Sequence, residues 1–133
     1  MNFHDFSRGT ALAEQDGRQA LALVVAYNVA ISERANDLVM AAEFSAGADA
    51  DMRRLSEEGA TAMAAGLREL AATLDGHGSL RPEIDVDRAG DILFFYFSPY
   101  THHVLRRLRG WTAEAFQEWL LDAWVRELLP PAG

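Results

Sequence analysis

The stretch GDILFFYFSPYTHHVLRRLRGW, residues 90–111, decides how this chain folds. Residues 92–97 are large and apolar apart from the phenol of Tyr96. A surface helix carries an apolar stripe, whereas a run that is apolar on every side predicts a helix surrounded by protein. Phe94, Phe95, Tyr96 and Phe97 together make a broad wall, suited to packing other helices or to lining a pocket for an apolar ligand. Ser98 and Pro99 then restart the chain. Serine is a good N-cap and proline is tolerated at the first helical position, so a second helix is expected over 100–109. Arg106, Arg107 and Arg109 fall in its last turn, where cations suit the helix dipole. Gly110 ends it.

Downstream, Thr112 is the expected cap of the last helix. Phe116, Leu120, Ala123 and Trp124 form one apolar face, and Leu121, Val125, Leu128 and Leu129 a second. Glu118, Asp122 and Arg126 make the solvated ridge between them. Two apolar faces are more than one small core covers, which predicts a homodimer. The helices at about 99–109 and 112–129 would form its interface, with Trp119, Leu121, Val125 and Leu128 as contacts.

Upstream, Asp85 caps the aromatic helix and Asp87 sits in its first turn, favoured by the dipole. Gly76, His77 and Gly78 stop the helix before it, and Arg81, preceding Pro82, is extended. In that helix Met52, Leu55, Gly59, Met63, Leu67, Leu70 and Leu74 recur at intervals of three and four. Gly59 and Gly66 each cost about 1 kcal/mol relative to alanine in a helix interior. They therefore predict either close approach of a neighbouring helix or room for a ligand. The first helix starts at Asp16 and carries Leu21, Val24, Val25, Asn28 and Ile31 on one face, widened by Leu23 and Tyr27. Ser32, Glu33 and Arg34 interrupt it before Ala35, Leu38, Val39, Ala42 and Phe44 resume the pattern. One kinked helix or two successive ones are expected. Residues 1–15 are a lead-in in which Phe3, Phe6, Ala11 and Leu12 suit a short packed helix. No strand alternation occurs. The expected fold class is all-α, an irregular bundle of five to seven helices in one domain over 16–130.

Composition narrows the function. The 133 residues are half hydrophobic and contain no cysteine, which excludes disulfides and thiolate metal sites. Twelve basic residues face twenty acidic ones, a net charge of −8. That balance argues against direct nucleic-acid binding, which needs clustered cations to displace counterions from phosphate. The longest apolar stretch, residues 20–31, is too short for a membrane span. The N-terminal residues contain no continuous apolar segment of the secretory kind. A cytoplasmic location is expected.

Residues 80–129 resemble the C-terminal body of TetR-type transcriptional regulators. The matching residues are Leu80, Arg81, Pro82, Asp85, Arg88, Ala89, Asp91 and Leu93, then Ser98 and Pro99. Gly110, Trp111, Thr112, Glu114, Phe116, Trp119 and Leu120 complete the series. A weaker likeness extends back to about Asp16. The resemblance implies a body that dimerises through its last helices and holds an effector in an apolar cavity. It also implies an N-terminal helix-turn-helix head. Residues 1–15 are too few for three helices of about ten residues each, so the expectation is a body without a DNA-binding head of its own.

The expected pocket lies between the helices at 16–45, 52–75 and 86–109. Its wall would comprise Tyr27, Asn28 and Ile31, Met63 and Leu67, and Phe94, Phe97, Tyr100 and His103. The ligand would be a hydrophobic small molecule with one or two polar atoms, oriented by Asn28, Tyr100 and His103. For any single one of these residues the simpler reading is core, or for His103 a side chain with a satisfied partner; the pocket reading rests on the group. His102 and His103 point about 100° apart on a helix and do not share a metal. No metal or cofactor is expected, and no catalytic motif is present. Glu33 would have a raised pKa if buried, but the simpler reading is a solvated kink paired with Arg34. An alternative function is an enzyme using the same pocket, with Tyr27, Asn28, Glu33, Tyr100 and His103 as acid–base candidates. A structural partner that heterodimerises with a complete regulator is a third.

Overall fold

The computed structural model describes residues 16–47 and 49–131, so the lead-in at 1–15 lies outside the described residues. The described chain is helical throughout, with no strand. Helix α1 spans Gly17–Ser45, α2 Ala50–Gly76 and α3 Val86–Phe97. A short α4, Pro99–His102, runs on into a π-helical segment, His103–Leu108, and α5 spans Ala113–Leu128. Among the described residues there are four long helices, fewer than the five to seven expected, with the short composite segment serving as a link between α3 and α5.

The helix starts follow from side chains that accept the orphan N–H groups of a first turn. Asp16 accepts from Gln19 at 2.8 Å and Asp85 from Arg88 at 2.7 Å. Ser98 accepts from Thr101 at 3.2 Å and Thr112 from Ala115 at 3.1 Å. Gly110, at φ +75°, ends the π segment in the left-handed region that a glycine adopts without strain.

Helix α1 does not break at Ser32, Glu33 and Arg34. It runs unbroken for 29 residues. The polar residues that suggested a kink are instead a change of partner. Before them the buried residues are apolar, namely Leu21, Val24, Val25 and Val29. From Glu33 onward, α1 faces α4 and the π segment through Glu33, Asn36 and Asp37, which share one face by i,i+3 and i,i+4 spacing.

The core is built from one face of each long helix. Leu21, Val24 and Val25 of α1 meet Leu67 and Leu70 of α2 and Leu93 of α3, all closed to solvent. Phe116, Leu120, Trp124 and Leu128 of α5 complete it. The link between α2 and α3 is tied to the end of α5, where Leu128 O accepts from Arg81 N at 2.8 Å. Beyond this core the α1–α2 hairpin extends with several of its apolar side chains uncovered. Leu38 is 78% exposed there, and Phe44 and Leu55 are also exposed.

Two expectations about burial change. Helix α3 buries Ala89, Gly90, Leu93 and Phe97, but Ile92, Phe94 and Tyr96 are half-buried and Phe95 is 72% exposed. It packs on α2 and α5 and leaves a third side free, so it is not enclosed all round. The second apolar face of α5 is covered largely by the rest of its own chain. Leu128 is fully buried and so cannot reach a partner, while Trp119, Leu121 and Val125 pack in part against the core.

Of the two glycines expected at a close approach, Gly66 is buried and Gly59 is exposed, and a close approach falls at Gly90. A Cβ at Gly90 would lie 3.3 Å from Cα of Arg68, whereas one at Gly59 would meet nothing within 4 Å. Replacing Gly59 by alanine should therefore raise stability by about 0.5–1 kcal/mol, through helix propensity alone. Gly90→Val should lower it by about 1–3 kcal/mol, because α2 and α3 must separate. Urea denaturation of the two variants checks both signs; a stabilised Gly90→Val would contradict the packing described.

Candidate functional site

The contact at Gly90 brings α2 and α3 together, and short side chains on α2 keep the space beside it open. Ala64 and Ala65 face Phe94 and Phe95 across a groove of about 600 Å³. Gly90 and Asp91 line it on the α3 side. An ion pair stands at one end, Arg68 Nε to Asp87 Oδ1 at 2.7 Å. Ser98 lies at the other. Ala64, Ala65, Asp91 and Phe95 are all exposed, so the groove opens to solvent along its length. Its volume falls in the range of small-molecule sites, about 300–1,000 Å³.

Of the nine residues expected around a pocket, Phe94 lines this groove. Leu67 and Phe97 are buried in the core, and Met63 packs against it. Asn28 is buried but donates to Val24 O within its own helix, at 2.9 Å. Tyr27 is half-buried on α1. Ile31, on the same helix, is exposed, and so is Tyr100. His103 sets its ring edge-on to Phe44, 5.7 Å between centroids. Phe95, part of the aromatic wall expected from sequence, lines the groove too, whereas Ala64, Ala65, Arg68 and Asp91 were not anticipated. The available signal was a pair of alanines on α2 and a glycine early in an otherwise bulky helix.

Apart from the groove, α1 is joined to α4 and the π segment by a polar clasp that periodicity did not disclose. The Glu33 carboxylate accepts from Arg106 Nε at 2.9 Å and from Arg106 Nη2 on its other oxygen. Its Oε2 also lies 2.6 Å from His102 Nε2. Because a carboxylate accepts, the His102 proton sits on Nε2. Arg106 Nη1 donates to Trp111 O at 2.6 Å, and Arg107 makes a forked pair with Asp37 at 3.0 and 3.1 Å. Two of the three arginines read as dipole partners thus reach across to α1.

The electrostatics follow from these contacts. Hydrogen bonds from Arg106, aided by His102, hold the Glu33 carboxyl at a pKa of about 2 against the opposing effect of burial. It is ionised and saturated with donors, the reverse of the raised pKa a buried acid–base carboxylate needs. Burial lowers the His102 pKa, and the Glu33 hydrogen bond only partly offsets this. His102 is therefore neutral, with Nδ1 enclosed and without a partner among the described residues, its ring edge-on to Phe116 at 5.1 Å. A ring nitrogen closed off in this way meets no substrate, so the cluster acts as a brace and not as a proton relay. Among the described residues no group of three or more His, Asp or Glu could hold a metal ion, and no helix is long and apolar enough to cross a membrane.

Compared with known proteins, the chain matches no family model, no curated protein and no solved structure. What the site does is therefore argued from its own chemistry.

The clasp has a pH signature. The unfolded chain protonates His102 near 6.5 while the folded chain resists, so this contribution is present above pH 6.5 and lost as pH falls below it. Glu33 adds a second contribution, complete above pH 4.5 and lost as pH falls towards 2. Stability measured by urea denaturation should therefore decline on acidification in both windows. His102→Phe should remove the upper decline and leave the lower one. An unchanged slope between pH 6.5 and 5 in that variant would contradict the assignment.

Proposed function

We propose that this protein is a binding module for a hydrophobic small molecule, held in the groove between α2 and α3. The body around it resembles the ligand-binding body of a TetR-type regulator. One observation carries the reading: an aromatic wall, exposed Phe95 beside half-buried Phe94, lines an open space together with two alanines. Exposed aromatics facing small residues leave apolar surface that a ligand can remove from water. Covering on the order of 100 Å² of it gains about 2–3 kcal/mol before the costs of ordering the ligand. The all-helical fold fits the same resemblance. A cytoplasmic setting belongs to this reading, as does a role in transcription regulation.

The reading includes a homodimer. With Leu128 enclosed, the surface left for a second copy shifts to α4 and the π segment. Tyr100 is 62% and Leu108 64% exposed there, with half-buried Val104 between them at four-residue spacing. Such a row is apolar surface that a symmetric partner can cover. The enzyme alternative finds no support in the clasp, since Glu33 is ionised and engaged and His103 lies against Phe44.

The neutral fluorophore N-phenyl-1-naphthylamine tests the ligand reading. It should bind wild type with a blue-shifted rise in emission. Ala64→Trp, at an exposed position, should fill the groove and weaken binding about tenfold or more without loss of stability. Equal binding by the two proteins would place any ligand elsewhere. For the dimer, sedimentation at micromolar concentration should show a dimer that Leu108→Glu converts to monomer; a monomeric wild type contradicts it.

A further inference from the structure

We infer that the groove between α2 and α3 selects a hydrophobic cation over a hydrophobic anion. The positive centre would lie beside the Asp91 carboxylate and against the faces of Phe94 and Phe95. This rests on reading the groove as a small-molecule site and adds the charge of its ligand.

Three charged side chains line the groove, and they do not balance. Arg68 is the sole cation, and Asp87 already neutralises it at 2.7 Å. Asp91, one turn further along α3, is exposed and engages no hydrogen bond or ion pair among the described residues. It is left as the uncompensated charge, next to two aromatic rings. A cation gains there from the carboxylate and from the negative faces of the rings together.

The direction of α3 acts the same way. Its N-terminal end is already served by Asp85 and Asp87. Its C-terminal end carries partial negative charge, has no basic residue in the last turn, and opens on the groove at Phe94, Phe95 and Ser98. An anion would fare worse at each point. To reach Arg68 it must replace Asp87, and it would then lie close to Asp91 as a like charge. The net charge of −8 on the whole chain also enriches cations over anions near its surface.

Two probes of the same size and shape but opposite charge test this: tetraphenylphosphonium and tetraphenylborate. Each is titrated against N-phenyl-1-naphthylamine bound to the full chain. The cation should displace the fluorophore at about five- to tenfold lower concentration, and the ratio should narrow as salt is raised. Asp91→Asn should bring the two displacement curves together, whereas Asp91→Glu should keep them apart. Ala64→Trp should weaken displacement by both. If tetraphenylborate displaces as well as the cation, or if the ratio survives Asp91→Asn unchanged, charge selection by this groove is wrong. A wild type that fails to bind the neutral fluorophore is a different failure, because it removes the ligand site itself and this inference with it.

Discussion

The contact between Glu33 and Arg106 is the constraint on which the rest of the molecule turns. It joins the middle of the first helix to a segment more than seventy residues away. A carboxylate and a guanidinium, both mostly sheltered, are costly to desolvate, and such a pair seldom adds stability over apolar residues of the same shape. What it supplies is register. The forked geometry of an arginine on a carboxylate admits one arrangement, and a half-made version leaves a sheltered charge alone. His102 on the same carboxylate, Asn36 on Pro99 O and Arg107 on Asp37 all fall in place from that one alignment.

The consequence reaches the groove through Ser98 and Pro99. Helix α3 ends where this step begins, and the step is held by Asn36 from one side and by the Ser98 cap from the other. Thr101 Oγ1 donates back to Phe95 O at 3.0 Å, fixing the last turn of α3 to the start of α4. The aromatic wall is thereby set at a defined distance from α2, and Gly90 allows α2 to approach closely at the other end. The π-helical turns at His103–Leu108 belong to the same device. Wide turns of this kind are uncommon and gather at functional positions; here they carry Arg106 and Arg107, which both reach α1.

Much of the fold was legible in the chain. Caps at Asp16, Asp85, Ser98 and Thr112 are local chemistry between residues three apart, so sequence displays them directly. The helical faces around Leu21, Leu70 and Trp124 are likewise written in their periodicity. The interruption at Ser32, Glu33 and Arg34 was misread because its cause is not local. The partner of Glu33 lies in another helix, and a polar break looks the same whether it faces water or a distant arginine. The site was harder still. Large apolar residues are the wall that a sequence suggests, yet large apolar residues fill each other's space, as Leu67 and Phe97 do. Open volume arises where side chains are small, at Ala64 and Ala65, which helix propensity alone already explains.

A double-mutant cycle on Glu33 and Arg106 tests this account most directly, comparing Glu33→Gln, Arg106→Gln and the pair by urea denaturation at pH 7. If the contact sets the register, each single change leaves the other partner stranded and the two are strongly coupled. An interaction energy of about 1–3 kcal/mol is expected. Coupling within about 0.3 kcal/mol of zero would show two independent surface residues, and the clasp could not be what aligns the helices.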